Sequence, residues 1–247
     1  MQADSDLVLR LPRLEGALEA LPRACAVHVA QSFDAATCAR WCEGVYAAKD
    51  EWTHDFDGEQ FSLGRAFYTH LEEGRSKAYF EDVAASDARV EKHVPGLQAA
   101  MRDLVARATG ARVVARRGWC GPGVHVFPPA APVAQRGGVV HFDTEGLAAR
   151  HVAAQRPAIT VVAMLQTPEN ADEGGLKVWD VLYTGEDEAT GEELARPSAL
   201  VTYALGDVVL IDSYRLHQIQ PFTGARERIS ATVHAAQVDA GLWETWF

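Results

Sequence analysis

Ala158-Ile159-Thr160-Val161-Val162-Ala163-Met164-Leu165 is one of nine short β-type runs that follow one another from Arg112 onward. The others are residues 112–117 (RVVARR), 124–127 (VHVF), 138–142 (GVVHF), 176–180 (LKVWD), 199–204 (ALVTYA), 207–212 (DVVLID), 215–219 (RLHQI) and 228–234 (RISATVH). Each is bounded by Gly, Pro or acidic turn residues, and almost no helical pattern intervenes. About eight to nine strands so closely spaced predict an antiparallel double sheet, a jelly roll (double-stranded β-helix).

Working back toward the N-terminus, the pattern becomes helical. Phe33, Thr37, Cys38, Trp41, Cys42 and Val45 recur at helical spacing after the candidate caps Ser32 and Asp34. A second helix is expected to open at Pro95, run through Leu97, Met101, Leu104 and Val105, and stop at Gly110. Residues 53–93 are mixed, and their aromatic side chains read as core. The expectation is one α+β domain over 1–247: helical support over 1–110, the jelly-roll core over 111–237 and a C-terminal tail over 238–247. Two loops stand out, the Pro/Gly-rich 128–137 and the acidic 184–198.

Composition narrows the function. Asp and Glu number 34 against 23 Lys and Arg, a formal charge of −11, which argues against a nucleic-acid partner. No apolar run approaches the roughly 18 residues that span a bilayer, and acidic residues precede any apolar stretch at the N-terminus. A cytoplasmic protein with no membrane partner is expected. Cys25, Cys38, Cys42 and Cys120 lack the paired spacing of a zinc or redox site and read as buried thiols.

The chemistry concentrates in Val139-Val140-His141-Phe142-Asp143. Residues two apart on a strand share a face, so His141 and Asp143 project together while Phe142 packs behind. Such a pair can occupy two adjacent positions on a divalent metal, and His217, after the apolar run at 207–212, is the candidate third ligand. Two histidines and one carboxylate on one face of an octahedral ion leave three positions open, the pattern of non-haem Fe(II) oxygenases. Arg228 and Ser230 follow on one strand face, after the turn formers Pro221 and Gly224. A guanidinium fork and a hydroxyl suit the far carboxylate of a dicarboxylate. Arg226 shares that face and is the rival anchor.

His141-x-Asp143, distant His217 and Arg228-x-Ser230 together resemble the Fe(II)/2-oxoglutarate-dependent dioxygenase superfamily, most closely its prolyl-hydroxylase-type and small-molecule hydroxylase branches. Asp172-Glu173-Gly174-Gly175-Leu176-Lys177-Val178-Trp179 is similar to the acidic Gly-Gly turn of those enzymes, and Gly206-Asp207-Val208-Val209-Leu210-Ile211 to the strand that delivers their last histidine. The resemblance covers about residues 112–237 and implies a jelly-roll core. It implies Fe(II) on His141, Asp143 and His217, and 2-oxoglutarate on Arg228 and Ser230. O2 would be the oxidant, with ascorbate as a stimulant. The implied reaction is hydroxylation of an unactivated C–H bond in a small amino-acid-like or natural-product substrate. Desaturation, epoxidation, cyclisation or hydroxylation of a protein are the alternatives within the superfamily; a metal-binding sensor module is the alternative outside catalysis. Asp143 disfavours halogenation, since the halogenases of the family carry a small residue there, and no second arginine lies six residues after Arg228, as expected of a nucleic-acid demethylase. Glu145, on the face of Asp143, is a candidate partner for a substrate amine, and Trp179 a candidate pocket wall. His125 and His234 either line the site or are ordinary core residues, whereas His28, His54, His70, His93 and His151 read as surface.

Overall fold

A computed structural model describes residues 7–247. Its strands are β1 (Val8–Leu11), β2 (Ala26–Val29), β3 (Thr53–Asp55), β4 (Gln60–Leu63), β5 (Arg112–Ala115), β6 (Gly123–Phe127) and β7 (Ala158–Gln166). There follow β8 (Leu176–Leu182), β9 (Ser198–Val201), β10 (Val208–Asp212), β11 (Arg215–Ile219), β12 (Arg228–Asp239) and β13 (Leu242–Trp246). The larger sheet runs β1-β2-β10-β7-β12-β6-β4-β3, with β13 pairing both β12 and β5. The smaller sheet is β11-β8-β9.

Period-2 alternation builds the two sides of the larger sheet. On β12, Ile229, Ala231, Val233 and Ala235 join Val161, Ala163 and Leu165 of β7 in the main core under the helices. The intervening Arg228, Ser230, Thr232 and His234 line a cavity on the opposite face. Between the sheets, Met164, Val209 and Ile211 pack against Leu176, Val178, Ala199, Val201 and Tyr203. One end of the sandwich is thereby plugged with apolar side chains and the other is left open.

The helix Ala35–Ala47 starts where Asp34 accepts a hydrogen bond from the Thr37 amide at 2.7 Å. It buries Cys38, Trp41, Cys42 and Val45, one face of a 3.6-residue repeat. The helix Leu97–Thr109 lies between left-handed Gly96 and Gly110, two residues shorter at its start than Pro95 suggested.

The first 110 residues are more than helical support, because β1 to β4 extend the larger sheet from both sides. Each has only three or four residues, too few for alternation to show, and β2 is buried at every position. The 238–247 segment carries β13 rather than a tail, with Trp243, Trp246 and Phe247 buried. β1–β2 and β5–β13 are parallel pairs within an otherwise antiparallel fold. The 138–142 run is no strand; it makes one isolated bridge, His141 to His217. Among the histidines expected at the surface, His28, His70 and His151 are buried, His28 bonding Asp207 at 2.8 Å. No described helix is long and apolar enough to cross a membrane.

Candidate active site

β10 belongs to the larger sheet and β11 to the smaller, so the chain crosses between sheets at residues 213–214 and brings His217 over the open end of the sandwich. The segment bearing His141 and Asp143 is held against this crossing by backbone bonds. His141 and His217 exchange N–H to C=O hydrogen bonds, both 3.0 Å, and the Asp143 amide donates to the Ser213 carbonyl at 2.9 Å.

Three ligand atoms converge there. One donor atom from each of His141, Asp143 and His217 lies within 4.8 Å of the other two. His141 Nε2 is 3.5 Å from Asp143 Oδ1, and His217 Nε2 is 3.5 Å from Asp143 Oδ2. His141 Nδ1 bonds the Val139 carbonyl at 2.8 Å and His217 Nδ1 the Arg215 carbonyl at 2.9 Å. A carbonyl only accepts, so each Nδ1 carries a proton and each Nε2 is the ring atom turned toward the carboxylate, the one that can ligate a cation when it carries no proton. Thr160 donates to Asp143 Oδ2 at 2.6 Å, fixing the plane of the carboxylate. The donor set and its orientation fit a divalent ion with two imidazole ligands and one carboxylate.

The charges fit as well. Burial alone would lift the Asp143 carboxyl, but the His217, His234 and His141 imidazoles overcome it and hold the group well below the usual carboxylate range. Burial pushes the His217 imidazole down to about 4 against the pull of Asp143. For His141, burial opposes the charge, yet the hydrogen bond and negative charge of Asp143 raise it to about 9. At neutral pH the site thus holds an anionic carboxylate, a neutral His217 and a protonated His141, whose proton a bound cation would displace.

The same cavity, of about 550 Å³, contains Arg228 and Ser230. Arg228 is 1% exposed, and its guanidinium is placed by three hydrogen bonds: Nε to the Gly174 carbonyl at 2.8 Å, Nη1 to Ser230 Oγ at 3.1 Å, and Nη2 to the Tyr203 hydroxyl. Gly174 belongs to the Gly-Gly turn. Its φ of +66° favours glycine, and a Cβ there would crowd Arg228 Cδ at 3.3 Å. No acidic side chain among the described residues pairs with Arg228, which leaves a buried cation without its counter-charge. Such a group is costly unless an anion joins it. Arg226 does not compete, because it is exposed and bonds Pro168 and Thr167 outside the cavity.

His125 and His234 both line the cavity. Trp179 does not: it is buried with Phe142, Val181 and Leu216, and its indole N–H donates to the Leu194 carbonyl. Glu145 is outside the lining but beside the triad, where burial and the negative charge of Asp143 raise its carboxyl to about 7. Tyr203, Thr160 and Tyr68 are site residues that sequence reasoning missed. Thr160 was open to detection, since it alternates with the apolar positions of β7. Tyr203 lies beyond the end of β9 and Tyr68 in a mixed region, where no periodicity marks them.

No family model matches the sequence, and no curated protein matches it. Solved structures do. The epimerase SnoN of nogalamycin biosynthesis, in complex with Fe3+, alpha ketoglutarate and nogalamycin RO, is 16% identical, with 90% of this chain and 86% of that one covered at a TM-score of 0.53. An N-substituted L-amino acid dioxygenase from Burkholderia ambifaria AMMD is 14% identical, covering 94% and 90% at a TM-score of 0.58. AviO1 from Streptomyces viridochromogenes Tue57 is 15% identical, covering 90% and 94% at 0.56. At these identities the likeness is one of fold: the chain has the jelly-roll fold seen in non-haem, 2-oxoglutarate-dependent enzymes.

Proposed function

We propose that this chain is an Fe(II)- and 2-oxoglutarate-dependent dioxygenase that hydroxylates a small molecule. The reading rests on one observation: a metal-ligand triad and a buried, uncompensated guanidinium open into a single cavity. His141, Asp143 and His217 would hold iron, and Arg228 with Ser230 would hold the far carboxylate of 2-oxoglutarate. SnoN, which holds iron and this oxo-acid (alpha ketoglutarate) in the same fold, supports both cofactors.

Bound iron supplies the activation of O2 that couples oxidation of a C–H bond to decarboxylation of the oxo-acid, giving succinate and CO2. The protein's own part is placement. Thr160 and the two backbone carbonyls orient the three ligands. The Gly174 carbonyl, Ser230 and Tyr203 orient the guanidinium, which then pairs with a carboxylate of matching planar geometry. Phe127, Val133 and Ile219 supply apolar surface to the lining.

Asp143→Ala and His217→Ala should each abolish succinate formation from 2-oxoglutarate with Fe(II), O2 and ascorbate, and Arg228→Ala should raise the 2-oxoglutarate requirement at least about tenfold. Undiminished turnover in both ligand variants would sink the metal assignment. A chain that binds iron but forms no succinate, with or without a substrate, would instead be a sensor module.

A further inference from the structure

The lining of the cavity is electrically lopsided. Asp57 and Glu59, between β3 and β4, and Glu72 and Glu73, at the end of the helix Phe67–Glu72, all stand on one wall. Glu73 is paired with Arg75, whereas Asp57, Glu59 and Glu72 form no ion pair with any described residue. The lining also includes Val133, Gly138, Val139, Leu176 and Ile219, which carry no charge. Arg228 is the one Lys or Arg in the lining, and the oxo-acid occupies it in the reading above. On a chain of charge −11 surface acid is common, so its number means little; the informative feature is that these carboxylates come from two segments in contact, through the Gln60–Tyr68 hydrogen bond and the Phe56 and Tyr68 rings.

A second observation lies deeper. His125 of β6 faces Ser230 on one side and Ser62 on the other in the sheet register. Its side chain is 6% exposed and lines the cavity, and its Nδ1 is buried without a hydrogen-bond partner. Burial pushes the imidazole down to about 3, so at neutral pH the ring is uncharged and offers a polar atom rather than a cation. The Tyr68 ring lies 5.7 Å away, and Tyr68 precedes Glu72 by four residues, on the same helix face. The lining therefore runs from the Glu72 carboxylate, past an aromatic ring, to an imidazole that has no hydrogen-bond partner among the described residues; its Nδ1 is closed off, so the ring meets the cavity through its other edge.

We infer that the molecule oxidised in this cavity carries a protonated amine, which docks on Glu72 with Asp57 and Glu59 nearby, while a polar group farther along it reaches His125. This deepens the oxygenase reading and rests on it. The partner is an organic cation because the wall supplies acceptors and negative charge, and a substrate carboxylate placed there would meet three like charges.

The test uses the full chain with Fe(II) and 2-oxoglutarate under anaerobic conditions. Tyramine, phenethylamine and butylamine are titrated calorimetrically beside their neutral N-acetyl forms and the anion 4-hydroxyphenylacetate. At least one amine should bind about tenfold more tightly than its N-acetyl form, and more weakly as KCl is raised. Glu72→Gln should reduce that preference at least about fivefold, with an unchanged melting temperature. Should that variant fold poorly, the rim pair Asp57→Asn with Glu59→Gln provides the same comparison. Equal binding of amines and acetyl forms, preference for the anion, binding by none of them, or a preference untouched in the carboxamide variants overturns the inference. Succinate formation without amine, measured on the same preparation in air, judges the oxygenase reading separately.

Discussion

At the scale of single residues, the guanidinium of Arg228 depends on its neighbours for aim. Tyr203→Phe removes one hydrogen bond to a charged group, typically about 1.5–3 kcal/mol. It should raise the KM for 2-oxoglutarate about tenfold or more while leaving kcat nearly unchanged, whereas Arg226→Ala should leave both within about twofold. Steady-state succinate assays over a range of 2-oxoglutarate distinguish these outcomes. Asp55, under the cavity wall, raises a different matter. It is fully buried, bonded by Ser62 Oγ at 2.9 Å, with Arg75 Nη2 3.6 Å away and Oδ1 lacking a hydrogen bond. Burial raises its carboxyl to about 6 despite Ser62, Thr69 and Arg75. An unfolded aspartate ionises near 4, so between about pH 4 and 6 the folded chain holds a proton that the unfolded chain has released. Stability contributed by this group is full below that window and is lost as pH rises through it. Asp55→Asn should flatten this part of the pH profile and be more stable at pH 7 by up to about 3 kcal/mol. Urea unfolding from pH 4 to 8 measures the difference, and parallel curves for the two chains would refute it.

At the scale of elements, close backbone approach fixes how the helices stack on the sheet. A Cβ on Gly44, in the helix Ala35–Ala47, would lie 1.9 Å from the His93 carbonyl oxygen, where the helix Val83–His93 ends. Main chain cannot yield as a side-chain tip can, so Gly44→Ala should force the helices apart at a cost of about 3 kcal/mol or more. A lowered melting temperature checks this, and an unchanged one would show that the helices have room to move. Legibility in the sequence follows the same physical lines. Long strands with one apolar face, such as β7 and β12, could be read directly, and so could the shared face of Arg228 and Ser230, because strand parity carries facing. β1 to β4 could not, since three or four residues hold less than two full alternations and some are buried on both faces. The 138–142 run shows the limit from the other side. It reads as a strand, yet the side chains of His141 and Asp143 converge through one bridge and a bond to Ser213 rather than through regular pairing. Glu145 stands beside Asp143 and His141 but outside the cavity lining, because parity lapses where the strand does. Glu72 had no sequence signal, as its place depends on how the helix Phe67–Glu72 packs over β4 and β6.

At the scale of the whole molecule, the two sheets divide the labour. The larger carries the buried Arg228 on its inner face and the main core on its outer face, and the smaller contributes His217 from its edge strand. Two distant pieces of chain thus meet over one opening, and they are joined by protein hydrogen bonds alone. The reciprocal bonds between His141 and His217 have a consequence for metal supply. A donor set already assembled by its own backbone does not need a particular ion to organise it, so little ordering entropy remains to separate one divalent metal from another. Intrinsic preference then follows the ordinary first-row series, in which cobalt, nickel and copper outrank ferrous iron. Nothing in these three ligands rejects them. If the triad holds a metal as proposed, the ion it takes is set by what its surroundings make available, and a preparation filled with nickel or cobalt would be correctly folded and loaded yet form no succinate.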